Sequence, residues 1–488
     1  MQQAKKPVSA GAILGWLALS TLAPGAAHLR AGWRKTGLVL LSCYAVLLLA
    51  LLALWLVNRD ELLGLVTQDS WLVSILVLSG VLGVAWCALM VHSFLVLGPR
   101  LLPKAVQILV GTTAGLLAVA VVLPFAWVAN IAWTSREAID NIFQPAEVPQ
   151  AQGEAAVPLP DARPEDPWSG RRRVNILLLG GDAGDNRTGI RTDSMNLASI
   201  DVRTGNTVLF SLPRNLEDVR FRPGTPMARH FPDGFRLPPD PGGGRSDLLN
   251  SVWEYADAHP EIFGGKRNQG AQVLMDTIGY TLGVDVDWYA LVNMWGFARL
   301  IDAIGGVTIS VEQDVVFGRY NEGLVKAGTR KLDGEDAMWY ARSRTFSDDY
   351  TRMRRQRCVL GALLEQADPA TVLIRFNRIA LATKELIRTD IPRSLLRHLV
   401  PLALKVKNAE VTSVQFVPPL INTGYPDWDK IRGIAGKALR DSATGTVVAA
   451  STAPSAEPST GPKRQRQRAE QPRRSDPTQA LTEGCGAA

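Results

Sequence analysis

Three apolar runs crowded into the first 133 positions constrain this chain more than any other feature. They cover about Thr36–Val57, Trp71–Leu97 and Ala105–Trp133. A bilayer core needs about 20 apolar residues of helix, and each run supplies that. A helix that is apolar on every side has no stripe to turn toward water. Residues 36–133 are therefore expected to be transmembrane helices. A weaker fourth stretch, Ala10–Ala27, is interrupted by Pro24-Gly25. It is open as a span, a half-insertion or a surface helix, within an N-terminal segment 1–35 that is cytoplasmic or partly inserted. It does not read as a cleaved leader, because another span follows at once. Whole-chain averages hide this split: 47% hydrophobic residues and a mean hydropathy of +0.05 look ordinary. The split excludes a simple cytosolic enzyme, and the polar remainder excludes a pure multi-span transporter.

Basic residues orient the spans. Arg30, Arg34 and Lys35 precede the first, and Arg100 and Lys104 separate the second from the third. The intervening turn balances Arg59 with Asp60 and Glu61. Positive loops stay in the cytoplasm. The chain then reads as a multi-pass plasma-membrane protein whose C-terminal two-thirds is extracytoplasmic.

Residues 134–170 form an expected linker, rich in Pro, Ala, Gln and acidic residues from Phe143 onward. Residues 171–440 carry the ordered domain. Residues 441–488, with the run Lys463–Arg468, read as a disordered basic tail. The net charge of +7 admits nucleic acid, anionic lipid or an anionic substrate. No zinc-finger spacing or RNP-like stretch supports nucleic acid, and the orientation opposes it. Cys43 and Cys87 lie in apolar runs, while Cys358 and Cys485 lie outside them. Without CxxC or paired spacing, neither a disulfide framework nor a metal site is inferred.

The domain mixes strands and helices. Val174–Leu179 is a short apolar run suited to a buried strand, followed by strands at Asn196–Val202 and Thr207–Leu212. Pro223–Arg245 reads as a surface loop. Helices are expected at Leu248–Ala258, Gln269–Leu282, Phe297–Ile304, Gly334–Arg342 and Arg352–Ala367. Further strands are expected at Tyr289–Val292, Val307–Val311 and Val411–Val417. The fold class is α/β: three membrane helices, or four if Ala10–Ala27 crosses, then one extracytoplasmic domain with a mixed sheet flanked by helices.

Three clusters could carry chemistry. Asp182 follows the first strand, and Arg191-Thr192-Asp193 comes soon after. Two carboxylates on one loop can share a hard cation such as Mg²⁺, or equally form a polar turn. Arg214 ends the third strand and would emerge near Asp182 if neighbouring strands pair. The densest cluster runs from Arg342 and Arg344 through Asp348 and Asp349 to Arg352, Arg354, Arg355, Gln356 and Arg357. Six arginines fall within sixteen residues. Arg352, Arg355 and Gln356 share a helix face. Guanidinium forks match phosphate oxygens, and crowded like charges call for an anion. A solvated basic face is the bland alternative. No GxSxG, Walker or HExxH pattern offers a nucleophile or a P-loop.

Together these segments resemble the LytR-CpsA-Psr (LCP) family. The matching text is Asn175–Asp182, Arg191–Met195, Ser211–Arg214, Gly296-Phe297, Ile304–Val307, Leu332–Gly334, Tyr340–Arg344 and Asp349–Arg357. Multi-span members of this kind look familiar from Gram-positive actinobacteria. The resemblance implies a phosphotransferase that moves a glycopolymer from a polyprenyl-pyrophosphate carrier to peptidoglycan, as for teichoic acid, capsule or arabinogalactan. It implies Mg²⁺ or Mn²⁺ on Asp182 and Asp193. It implies pyrophosphate contacts from Arg191, Arg214, Arg342, Arg344, Arg352 and Gln356, with Arg355 and Asp349 as secondary candidates. Asp193, Arg191 and Arg352 are the implied catalytic residues, with Asp193 as a candidate base. The lipid is expected in an apolar tunnel of the domain. A polyprenyl-pyrophosphate hydrolase using the same site, and a non-enzymatic envelope regulator or anionic-polymer binder, are the alternatives.

Overall fold

The computed structural model describes residues 9–57, 69–142, 168, 170–182, 190–239, 245–367, 387–392, 395–444, 478–481 and 485. They divide into two units, Met1–Asn141 and Ile142–Ala488.

In the first unit, three helices are long and apolar enough to cross a membrane. They are α3 (Arg34–Val57), α4 (Asp69–Val96) and α5 (Lys104–Ile142), after α1 (Ala10–Leu22) and α2 (Ala26–Arg30). At 13 residues, α1 is about 20 Å long, short of a ~30 Å hydrocarbon core. The weak fourth stretch thus breaks into two short helices. The bend between them is tied where the Ala27 N–H donates to Ser20 Oγ at 3.0 Å. Ile13 and Leu17 of α1, Met90 of α4 and Val110 of α5 share one buried cluster.

The second unit is built on a seven-stranded mixed sheet. Its strands are β1 (Arg173–Asp182), β2 (Arg191–Asp201), β3 (Thr207–Leu212), β4 (Trp288–Asn293), β9 (Ile387–Thr389), β10 (Val411–Gln415) and β11 (Gln479–Ala480). The spatial order is β11-β10-β3-β2-β1-β4-β9. β2 runs antiparallel to both β1 and β3, whereas β1–β4 and β3–β10 are parallel. The remaining strands form two small antiparallel pairs, one nested in sequence within the other. β5 (Val307–Val311) pairs with β8 (Gly328–Leu332), and β6 (Val315–Phe317) with β7 (Gly323–Val325). The helices are α6 (Pro226–His230), α7 (Val252–Ala258), α8 (Gly270–Leu282), α9 (Met294–Ile304), α10 (Gly334–Arg342), α11 (Asp349–Gln366), α12 (Leu396–Lys407) and α13 (Trp428–Thr444).

Strand alternation explains why helices cover both faces. Leu177, Leu197, Val208, Phe210 and Val414 point into the main core with Leu274 and Ile278 of α8 and Ile431 of α13. Ala198 and Leu209 face the other way, against Leu360 and Leu364 of α11. Helix α11 therefore lies on the second face. It also packs Val359 and Ala362 against the β5–β8 pair and α10.

Two expectations need correction. The chain beyond Arg440 is not uniformly loose. Helix α13 continues to Thr444, and Gln479–Ala480 adds an edge strand to β10. Leu481 is buried against Ala198 and Leu209. Cys485 is disulfide-bonded to Cys358 of α11, although no disulfide was inferred from spacing. The two thiols are 127 positions apart, so no local pattern could pair them. Residues 445–477 lie outside the described residues, as does nearly all of the expected linker after Ile142. The expected loop Pro223–Arg245 contains the short helix α6, and residues 240–244 lie outside the described residues.

Candidate functional site

The end of the β1–β2 ladder sets the site. Gly180 faces Ser194 and Gly181 faces Thr192, so Asp193 is the extra residue of a bulge. A bulge re-aims the side chain it carries. The glycine pair is needed because its neighbours come close. A Cβ on Gly180 would lie 3.0 Å from Ser194 Cβ, and one on Gly181 2.9 Å from Leu291 Cδ1. Asp182 and Arg191 close this ladder opposite one another. The two carboxylates thus stand on adjoining strands rather than on one loop. The Asp182 side chain lies outside what the structure describes.

Arg214, two residues past β3, donates through Nη1 to Asp193 Oδ1 at 2.6 Å and through Nε to Asp349 Oδ1 at 3.1 Å. Burial opposes its charge, but the two carboxylates outweigh burial and hold its proton more tightly than usual. Arg352 is 4% exposed. It grips Asp349 with two parallel bonds, Nε to Oδ1 and Nη2 to Oδ2, both 3.1 Å. Its Nη1 donates to the backbone carbonyl of Asp193 at 3.0 Å. The Arg344 Nη1 stands 3.9 Å from Asp349 Oδ1. Burial and the neighbouring Arg214 make the Arg344 guanidinium less basic than usual.

The acidic turn before α11 divides its labour. Asp348 caps the helix, accepting from the Thr351 N–H at 2.7 Å, and its carboxyl is held below the usual range by those Thr351 hydrogen bonds. Asp349 is the anion on which Arg214, Arg344 and Arg352 converge. Three guanidinium groups thus share two carboxylates, Asp193 and Asp349. The resulting excess of positive charge suits a phosphorylated ligand.

The other residues singled out in the sequence sit further round. Arg191 Nε donates to Glu254 Oε2 of α7 at 3.0 Å. Arg342 lies over the Trp339 ring at 5.2 Å, and Phe317 stacks on Trp339 at 5.1 Å. Gln356 Nε2 donates to the Ala341 carbonyl at 3.3 Å. Arg355 turns from the cluster, donating to the Ser343 carbonyl at 3.2 Å over the Tyr340 ring. Arg354 pairs with Glu312, and Arg357 donates to Gln479 of the edge strand. Sequence reasoning missed Glu254, the Trp339 platform and the Tyr350 hydroxyl, 2.9 Å from Thr423 Oγ1. None of these carries a local signal. The disulfide carried a compositional signal rather than a local one, since Cys358 and Cys485 are the two cysteines outside the apolar runs.

Among the described residues, no group of three His, Cys, Asp or Glu side chains gathers around one point. Mg²⁺ does not require one, since it usually takes one or two carboxylates and completes its shell with phosphate and water. Asp193 keeps its second carboxylate oxygen, and Asn215, beside Arg214, has a buried Oδ1 with no hydrogen-bond partner among the described residues. The carboxylate oxygen of Asp193 has the chemistry that mode requires.

The fold and site define an α/β domain with an arginine–carboxylate anion cradle, borne on a chain with membrane helices. The chain belongs to the LytR_cpsA_psr family, which it matches over residues 150–420. It is 29% identical over 224 residues to the polyisoprenyl-teichoic acid–peptidoglycan teichoic acid transferase TagU of Enterococcus faecalis, covering 44% of this chain and 61% of the relative. It is 28% identical over 237 residues to the protein of that name from Halalkalibacterium halodurans, covering 47% and 63%. The chain therefore spans about three-fifths of the length of these relatives. The crystal structure of Bacillus subtilis TagV is similar at 22% identity with a TM-score of 0.38, covering 56% of this chain and 97% of that one.

Proposed function

We propose that this protein is a membrane-anchored phosphotransferase working at the outer face of the plasma membrane. It would move a glycopolymer from a polyprenyl-pyrophosphate carrier to peptidoglycan and leave a phosphodiester link. Family membership supports this reading, and so do the transferases among its relatives. The observation that carries it is the convergence of Arg214, Arg344 and Arg352 on Asp349 beside Asp193. Three spans ahead of the domain agree with a multi-span member of the actinobacterial kind.

The chemistry follows from charge. A pyrophosphate entering the cradle offers oxygens to guanidinium groups that Asp349 holds together. The acceptor sugar hydroxyl attacks the phosphorus that bears the glycan. The P–O bond to the bridging oxygen breaks, and polyprenyl phosphate leaves. Asp193, whose Oδ1 is bound by Arg214, accepts the hydroxyl proton. Arg214, Arg344 and Arg352 neutralise charge on the phosphoryl oxygens, the main form of catalysis in phosphoryl transfer. Arg191, Arg342 and Gln356 extend the binding surface. A Mg²⁺ or Mn²⁺ ion held by Asp182 and Asp193 would supply further neutralisation of the pyrophosphate, and would make Asp193 a weaker base for the hydroxyl.

The test uses the full chain in detergent with a polyprenyl-pyrophosphate oligosaccharide, peptidoglycan fragments and Mg²⁺, read by mass spectrometry. A phosphodiester adduct that requires Arg352 is expected. Free sugar phosphate without adduct would replace this reading with the hydrolase. Lipid binding without turnover would replace it with a binding protein.

A further inference from the structure

The loop between α10 and α11 carries an aromatic ring in an unfavourable place. The Ser347 N–H donates to the Arg344 carbonyl at 3.1 Å, closing a four-residue turn. Phe346 occupies its third position with φ +57°. That region suits glycine or asparagine, and a bulky side chain there is strained. The turn is pinned from behind, where Ser343 Oγ donates to the Val316 carbonyl and accepts from the Thr345 N–H at 3.3 Å. Phe346 is nevertheless 86% exposed, the highest value among the described large hydrophobic side chains. Next in the second unit is Tyr425, at 83%. Its loop is also fixed near the cradle, because Thr423 meets the hydroxyl of Tyr350, the residue after Asp349. Glycine would remove both the strain and the exposed apolar area at position 346.

We infer that Phe346 is a sugar-stacking residue at the mouth of the arginine cradle, taking a pyranose ring of the glycan next to the bound pyrophosphate. The inference rests on the phosphotransferase reading for the identity of that glycan. An aromatic face is electron-rich, and the C–H face of a sugar is weakly positive. Arg344 at the first position of the turn and Phe346 at the third put a hydrogen-bond donor for phosphate and an apolar plate on one short loop. A ligand that alternates phosphate and sugar uses both. The ring could come from the donor glycopolymer or from the peptidoglycan acceptor, and the chemistry of stacking is shared.

Full chain in detergent would be titrated with two phosphate-free oligosaccharides, one cut from the glycopolymer and one from peptidoglycan, with binding read by ligand-observed NMR. One of them is expected to bind. Its affinity should fall about three- to tenfold in Phe346→Gly and Phe346→Leu and hold in Phe346→Trp. The oligosaccharide that loses affinity identifies the source of the ring. Phe346→Gly should melt no lower than the native chain, which separates stacking from folding. Unchanged affinity in both variants, or binding of neither oligosaccharide by the native chain, would overturn the inference. Turnover is measured in parallel. Absent transfer in the native chain would refute the phosphotransferase reading while the titration still decides the stacking role. Intact transfer with unchanged affinity in the variants would refute only the stacking role.

Discussion

Asp193 stands where the β1–β2 ladder has one residue too many, and Arg214 reaches its carboxylate at 2.6 Å. The bulge turns the acid out, and the arginine fixes where it points. Arg214→Lys keeps a charge but cannot bridge Asp193 and Asp349 at once. Transfer should drop by about 10²-fold or more, the scale seen when one charge-stabilising donor is lost. The melting temperature should change little. Turnover within a few-fold of native would show that the bridge is structural.

Arg352 is the buried hub, and its two variants should separate folding from chemistry. Arg352→Ala leaves the Asp193 carbonyl and one flank of Asp349 without a donor, costing about 1–3 kcal/mol of stability. Arg352→Lys should fold better and still transfer poorly, because one ammonium cannot make the paired bonds. Thermal melts beside turnover measure both. Robust transfer by Arg352→Lys would contradict the two-pronged role.

Gly334 explains one of the recognisable sequence segments in steric terms. A Cβ there would collide with the Ala298 carbonyl oxygen of α9, and the Gly334 N–H donates to Asp302 at 2.7 Å. Gly334→Ala must push α10 off α9, at about 1–3 kcal/mol. Since α10 leads to Arg342 and Arg344, phosphate affinity should fall together with stability. Denaturant unfolding and ligand titration of the same variant check the pairing, and an unchanged midpoint would show that the helices give way freely.

Asp390 offers a pH dependence. Its Oδ1 accepts from the Tyr289 N–H at 2.7 Å, and burial raises its carboxyl to about 6. The folded protein then holds this proton more tightly than the unfolded chain. Stability from this group is full below about pH 4 and is lost as pH rises through about 6. Asp390→Asn keeps the acceptor oxygen and should gain about 1–2 kcal/mol at pH 7. Melting temperatures at pH 4 and pH 7 test the sign, and a larger gain at pH 4 than at pH 7 would reverse it.

Cys358→Ser, or reduction, should destabilise the second unit. Closing a loop between residues 127 apart restrains the unfolded chain by about 4–5 kcal/mol on the chain-entropy view. Protease sensitivity near Gln479 is the readout, compared between oxidised and reduced protein. Equal resistance would mean that strand pairing and Leu481 hold the segment unaided.

Much of the domain was legible because its strands are short, apolar and bounded by turns. Expected strands at Val174–Leu179, Tyr289–Val292 and Val307–Val311 correspond to β1, β4 and β5, each longer by at most a few residues. The helix expected from Arg352 begins at Asp349, because Asp348 is its cap. Helices α12 and α13 were missed. Pro401 interrupts the first, and the second follows a stretch crowded with turn residues. In the site, arginine density was plain, but the role of Asp349 was not. One carboxylate shared by three arginines depends on β3, α10 and α11 meeting, and no spacing along the chain records that. Local pattern also could not show that Arg191 would be drawn to Glu254 on α7.

The tie between Cys485 and Cys358 makes the helix of the cradle depend on a segment remote from it in the chain. Cys358 lies six positions beyond Arg352 on α11, so the helix that carries the cradle's hub is fastened to a segment 127 positions further along the chain. A product cut between Thr444 and Thr478 would keep every arginine of the cradle, yet leave β10 as a bare edge and Ala198 and Leu209 without the cover of Leu481. Such a fragment would invite stray strand addition. The bond thus fastens to α11 the edge strand whose loss would expose β10.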